Sequence, residues 1–257
     1  MTPKADRSDT IFLAGASGAI GRPLCRLLVA DGWRVFGTTR SPEKATLLRS
    51  LGVEPVVVDA FDAEALRQAA VAAGARIVIS QLTDLPPGLD PKRMPAARER
   101  NARLREVGTR NLIAAGLAGG MRRLIVQSIS FVYAPGPTPH REDAPLNINA
   151  PDEAGGGSAR GIAKLESQAL AGPFEGVVLR YGKLYGPGTG FDAAPAGGPV
   201  HVDAAADAAR RAVTTGSPGI YNVAEDDGTV SSAKAASELG WRPDFRIRGA
   251  GHAPRSA

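Results

Sequence analysis

Three observations predict that this 257-residue chain folds as an α/β protein, a doubly wound parallel sheet with helices on both faces. Short runs of apolar, β-forming residues alternate with helical segments, the pattern of right-handed βαβ units. The first apolar run leads straight into Gly15, Gly18 and Gly21 and then into a helical pattern. A hydrophobic content of 43% at this length is enough for one large core, so a single domain over 1–257 is expected.

Residues 11–14 read as a buried strand, and Gly15 permits a tight turn behind it because a residue without Cβ takes positive φ freely. Gly18 lets the backbone approach a pyrophosphate, and Gly21 lets helix and strand pack closely. The helix at 23–30 turns its unpaired N–H groups and positive dipole end toward such an anion. Strand, glycine-rich turn and helix together carry a phosphate-binding expectation that isolated glycines would not.

After a turn at Asp31 and Gly32 come a strand at 33–39, a helix at 42–50, a strand at 55–59, an Ala-rich helix at 64–73 and a strand at 76–82. Residues 83–95 hold four prolines and form a loop leaving the carboxyl end of a strand, where ligands of open α/β sheets bind. A long helix is expected over 96–118, with Leu104, Val107, Leu112, Ile113 and Leu117 near helical spacing and Gly119-Gly120 as its stop. A strand at 124–130 and a Pro/Gly-rich excursion at 134–157 follow. The order ends with a helix at 158–171, a strand at 177–181, a second Gly/Pro-rich loop at 186–200, a helix at 203–214, a strand at 220–223 and a helix at 231–239. The last fifteen or so residues lack apolar periodicity and read as disordered.

The net charge of +5 is spread among interleaved acids and bases, without a basic arm, so nucleic acid is not an expected partner. Cys25 is the single cysteine, which excludes an intrachain disulfide, and it reads as a small core residue of the first helix. The polar N-terminus and the lack of membrane-length apolar runs predict a cytoplasmic protein that does not meet a membrane. No His/Cys/Asp spacing suggests a metal site.

Five segments, in order, resemble the short-chain dehydrogenase/reductase superfamily in its extended, NAD-dependent epimerase/dehydratase branch. GASGAIG looks like its cofactor turn, and NLIAAGLAGGMRRLIVQSISFVYAPG like its long helix and fifth strand. VVLRYGKLYGPGTG, VHVDAAADAARRAV and KAASELGWRP resemble its substrate-side turn, the helix beneath its substrate lobe and its closing lobe. The resemblance implies a Rossmann-type sheet, a small C-terminal substrate lobe from 186–202 and 226–257, and a small carbonyl or sugar-like substrate. It places a dinucleotide on Gly15, Ser17, Gly18, Ala19, Ile20 and Gly21. Asp59 is then near adenine, and Gln81, Leu82, Tyr181 and Lys164 stand toward the nicotinamide end. It also suggests a homodimer through helices 96–118 and 158–171.

The cofactor's ribose is read at the end of the second strand. An NAD site places a carboxylate there; this chain has Gly37-Thr38-Thr39-Arg40 and no acid before Glu43. Arg40 offers a planar fork suited to a 2′-phosphate, Thr39 adds a hydroxyl, and Arg22 is a second candidate. NADP(H) is therefore the expected cofactor, ahead of NAD(H).

The catalytic positions depart from the family. A tyrosine and a lysine four residues on implies Arg160 and Lys164, and a guanidinium is no acid or base near neutral pH. The family's Ser or Thr falls on Ile129, with Ser128 and Ser130 pointing to the opposite face of the strand. Lys164, Ser128 and Tyr133 are left as the catalytic candidates. Arg160 is the candidate for an anionic substrate group, and Tyr185 a second substrate contact. Three readings stay open: an atypical oxidoreductase or epimerase with another acid/base, a non-catalytic NADP(H)-binding regulator, or a shifted alignment with the tyrosine supplied by a loop. His140 and His201 read as structural, Asp203 as a helix cap, and Arg98, Arg100, Arg103, Arg105 and Arg110 as a solvated face.

Overall fold

The computed structural model describes residues 10–152 and 155–247. Strands β1 (Thr10–Ala14), β2 (Arg34–Thr39), β3 (Glu54–Val57), β4 (Ile77–Ser80), β5 (Arg123–Ile129), β6 (Glu175–Tyr181) and β9 (Gly219–Val223) form one sheet in the order β3-β2-β1-β4-β5-β6-β9. Every pairing in it is parallel, and the order reverses between β1 and β4. That switch point opens a crevice at the strands' carboxyl ends, which is where the glycine turn lies.

Both faces of the sheet are buried, which is why its strands are continuous apolar runs rather than alternating ones. Ile11, Leu13, Ile125, Val177 and Leu179 face α1 (Gly21–Ala30) and α7 (Val202–Arg211). Phe12, Val78, Leu124, Val126 and Val178 face α3 (Ala63–Ala73), α5 (Thr109–Gly119) and α6 (Gly156–Leu170). Gly15 has φ of +84° and Gly74, ending α3, has +60°, as those two turns require. Cys25 is buried among the first group, and burial pushes its thiol up to about 12, so it is a core residue as expected.

The structure differs from the sequence reading in four places. The long helix expected over 96–118 is α4 (Met94–Arg103), a π-helical turn (Leu104–Gly108) and α5. The helix expected from 203 begins at Val202 and is capped by His201, whose Nδ1 accepts from the Asp203 N–H at 3.1 Å. Asp203 instead accepts from the Ile247 N–H at 3.1 Å. The loop expected over 186–200 is bracketed by β7 (Lys183–Tyr185) and β8 (Pro199–His201), which pair in parallel as a separate ribbon. Near the C-terminus, α8 (Ala233–Leu239) is followed by Trp241, whose Nε1 donates to the Ala204 carbonyl at 2.8 Å. This pins residues up to Phe245 onto the α7 side of the core. The expected disorder beyond 247 lies outside the described residues.

Among the described residues no helix is long and apolar enough to cross a membrane, and no cluster of His, Cys, Asp and Glu could hold a metal.

Candidate functional site

The glycine turn is held by backbone contacts that leave no space for side chains. A Cβ at Gly15 would stand 2.5 Å from the Gln81 carbonyl oxygen, and one at Gly21 would collide with the carbonyl oxygens of Gly15 and Ala16. The turn is tied to the end of β2: the Gly15 N–H donates to Thr38 Oγ1, and Ser17 Oγ to Thr39 Oγ1, both at 3.2 Å. The helix behind it, α1, has no side-chain cap and no acidic residue in its first turn. Its N–H groups and dipole end are open to an anion.

The turn forms one wall of a cavity of about 1110 Å³ over the carboxyl edge of the sheet. Of the expected cofactor residues, Gly15, Ser17, Gly18, Ala19, Ile20, Thr39, Arg40, Asp59, Gln81, Leu82 and Tyr181 line it. Gly21 lies behind the wall in its packing role, and Lys164 is not on the wall. Gln81 donates from Nε2 to the Tyr181 hydroxyl at 3.3 Å, while its buried Oε1 meets no donor among the described residues. A buried acceptor without a partner facing a cavity marks a place for a ligand's donor. Backbone cradle, open helix end and orphaned acceptor all fit a nicotinamide dinucleotide.

At the far end of the cavity lie Arg40, Ser41 and Lys44. The Arg40 fork reaches Asp84 at 3.4 and 3.2 Å, and Arg100 Nε reaches the same carboxylate at 3.0 Å. Burial pulls the Asp84 pKa upward, but the two guanidiniums outweigh it and hold that carboxyl below its usual range. Lys44 and Ser41 were missed in the sequence reading; a lysine in the first turn of the helix after β2 was the available signal.

The face of α6 corrects the catalytic assignment. Positions 158 and 162 lie about 40° apart around a helix, and 160 lies about 200° from 158. The buried stripe of α6 includes Ala159, Ile162, Leu165, Glu166 and Ala169, and Ser158 at its head lines the cavity. Arg160 and Lys164 are on the opposite side. Arg160 bonds the Ile148 carbonyl at 2.7 Å and pairs with Asp152, and Lys164 Nζ pairs with Glu106 at 2.8 Å on the surface. Of the described α6 residues only Ser158 lines the cavity; Ile162 is buried in a cluster with Val132 and Ala159, so the counted pair does not turn into the cleft. The stripe itself was the signal that could have fixed this face.

The remaining candidates are also tied up. Ser128 lies on the other face of β5, donating to Glu166 Oε1 at 2.7 Å. Glu166 forms a buried ion pair with Arg180, at 2.8 and 2.7 Å. Tyr133 lines the cavity, but its hydroxyl donates to Asn222 Oδ1 at 2.6 Å and accepts from Arg180 at 2.8 Å. Burial, only partly offset by Arg180, raises its pKa, so it keeps its proton. Burial likewise pushes the Tyr181 phenol well up. Tyr185 is off the cavity wall, donating to Glu225 at 2.7 Å and accepting from Arg246 at 2.9 Å. The wall beside Ser158 is mostly apolar: Ile129, Phe131, Val132, Leu89, Phe191 and Met94.

A parallel sheet with this order and a glycine cradle at its switch point define a nicotinamide-dinucleotide-binding protein. Residues 15–152 match a family model described as NAD(P)H-binding. The chain is 39% identical over 237 residues to a 3-diazoavenalumate denitrifying reductase of a Streptomyces species, covering 84% of this chain and 76% of that protein. In fold it is similar to UDP-glucose 4-epimerase of Thermotoga maritima solved with UDP-glucose (TM-score 0.74, 16% identity, 93% and 94% of the two chains). It is equally similar to the Bordetella bronchiseptica enzyme WbmG in complex with NAD (TM-score 0.73, 15% identity, 96% and 92%). The chain belongs to the NAD(P)H-binding family that the matching family model describes.

Proposed function

We propose that the chain is a cytoplasmic, NADPH-dependent reductase whose acceptor brings its own electrophilic charge, an aryl diazonium cation being the class that fits. The observation that carries this is α6: its one residue on the cavity wall among those described is Ser158, Arg160 and Lys164 are paired off that wall, and Ile129 lines it without a hydroxyl. A bound reduced nicotinamide supplies hydride. A carbonyl or sugar acceptor also needs a proton donor for its developing alkoxide, and the phenols of Tyr133 and Tyr181 hold their protons too tightly for that role. A diazonium cation needs no such donor. It takes one hydride, loses N2 and is left as the neutral arene, so charge and atoms balance without a proton from the protein. The apolar wall around Ile129, Phe131 and Phe191 suits an arene and limits competing water.

The preference for NADPH rests on Arg40, Ser41 and Lys44, with no carboxylate at the end of β2. The relative's printed name, a denitrifying reductase of a diazo compound, favours the same chemistry. Two copies pairing through the α5 and α6 surface, where Leu117 and Leu170 are exposed, belongs to this reading, and sedimentation tests it.

The test is NADPH oxidation above the uncatalysed rate, across aryl diazonium salts, aldehydes, ketones and nucleotide sugars. One N2 and one arene per NADPH with the diazonium salts, and no turnover of the others, is the expected result. Turnover of carbonyls or sugars with idle diazonium salts would overturn it.

A further inference from the structure

Arg105 was read from the sequence as part of a solvated face, and the structure places it elsewhere. It lies on the π-helical turn Leu104–Gly108, a kind of helix defect that is enriched at functional sites. Its side chain crosses α6 beside Gly161, with Cδ 3.5 Å from where a Cβ at that glycine would stand, and it lines the cavity on the same side as Ser158.

No carboxylate among the described residues answers it. Among the described residues Arg105 forms no ion pair: its chain neighbour Glu106 is taken by Lys164, and Asp152, which also lines the cavity, by Arg160. The surface cations of α6 thus leave the inner guanidinium alone. Burial without a compensating charge pushes its pKa down to about 10, still protonated at neutral pH. A largely buried, charged and unpaired group is costly unless a ligand completes it.

We infer that Arg105 is the specificity-determining residue for an anionic substrate, holding the carboxylate of an aromatic acid against the apolar wall. The guanidinium fork matches a carboxylate in two parallel hydrogen bonds. The arene would lie on Ile129, Phe131 and Phe191, at the end of the cavity away from Arg40. This rests on the reductase reading for its substrate class, but not for its measurement.

The test is binding rather than turnover. With NADP bound, calorimetry compares 4-hydroxycinnamate with its methyl ester, in wild type, Arg105→Ala, Arg105→Lys and, as a surface control, Arg110→Ala. Wild type should prefer the acid over the ester by about 10-fold or more, and Arg105→Ala should lose about 10- to 100-fold for the acid alone, the range of a charge-assisted hydrogen-bonded pair. Arg105→Lys should recover part of the loss, and Arg110→Ala none should be lost. NADP affinity should be unchanged throughout. Equal binding of acid and ester by wild type, which needs no folded variant, would overturn the inference; so would a loss of NADP affinity in Arg105→Ala. Preserved discrimination alongside inert diazonium salts would sink the reductase reading and leave this one standing.

Discussion

Replacing Arg40 with alanine should shift cofactor choice toward NADH by an amount the structure bounds. A guanidinium bonded to a phosphate contributes about 1.5–3 kcal/mol net. Arg40 is not idle without cofactor, however. Its fork already holds Asp84, and its side chain is 55% exposed while Asp84 is 21% exposed. Giving up such a partly solvated pair costs up to about 1 kcal/mol. The difference, about 0.5–2 kcal/mol, is a roughly 2- to 30-fold loss of NADPH affinity at 1.4 kcal/mol per decade, with little change for NADH. The same arithmetic sets the sign for Asp84→Asn: with the competitor neutralised, NADPH should bind up to about 5-fold more tightly. The loop is not expected to collapse, because Asn101 holds the Asp84 backbone N–H and carbonyl, each at 3.0 Å. Tryptophan-independent calorimetry of both cofactors in the three proteins gives the ratios. An unchanged NADPH/NADH ratio in Arg40→Ala, or weaker NADPH binding in Asp84→Asn, refutes the reasoning.

Other consequences follow from the same contacts. Glu166→Gln should destabilise the fold by about 3–5 kcal/mol, read from the denaturant midpoint, because Arg180 would be left charged and buried at 4% exposure. Lys164→Ala should leave NADPH affinity and turnover within twofold of wild type, since Lys164 only pairs with exposed Glu106; a large loss would restore it to the site. Gly15→Ala should abolish cofactor binding, as the methyl would press on the Gln81 carbonyl at φ of +84°; retained affinity by calorimetry would contradict the cradle. Burial, helped by Arg246, holds His201 below its ordinary pKa, so the unfolded chain takes up the proton first as pH falls. The stability that neutral His201 gives as the α7 cap is therefore full above about pH 6.5 and lost below it, and urea midpoints of His201→Asn should show a shallower decline there.

The sheet was legible because burial on both faces writes strands as apolar runs, and the glycine turn because only absent side chains fit between Gln81 and α1. Most cofactor residues were found for the same reason: they sit at strand ends whose positions the pattern fixes. The inward face of α6 was not read from the sequence. A motif count placed Arg160 and Lys164 in the cleft, whereas the apolar stripe Ala159, Ile162, Leu165 and Ala169 decides which face turns inward. Arg105 was illegible for a different reason. Its neighbours Arg103 and Arg110 are exposed, and only the π-turn rotates position 105 toward the cavity; nothing in the local composition marks that change of phase. The commitments of Ser128, Tyr133 and Tyr185 depend on partners 38 to 89 residues away, beyond the reach of local pattern.

The central claim is that this site moves hydride without a protein acid, and a pH profile tests it most directly. Turnover of an aryl diazonium carboxylate at saturating NADPH should be flat between about pH 6 and 8, and unchanged in Tyr133→Phe and Tyr181→Phe, as expected when no group of the protein must give up a proton. A bell-shaped or sigmoid profile that either substitution abolishes would contradict the account.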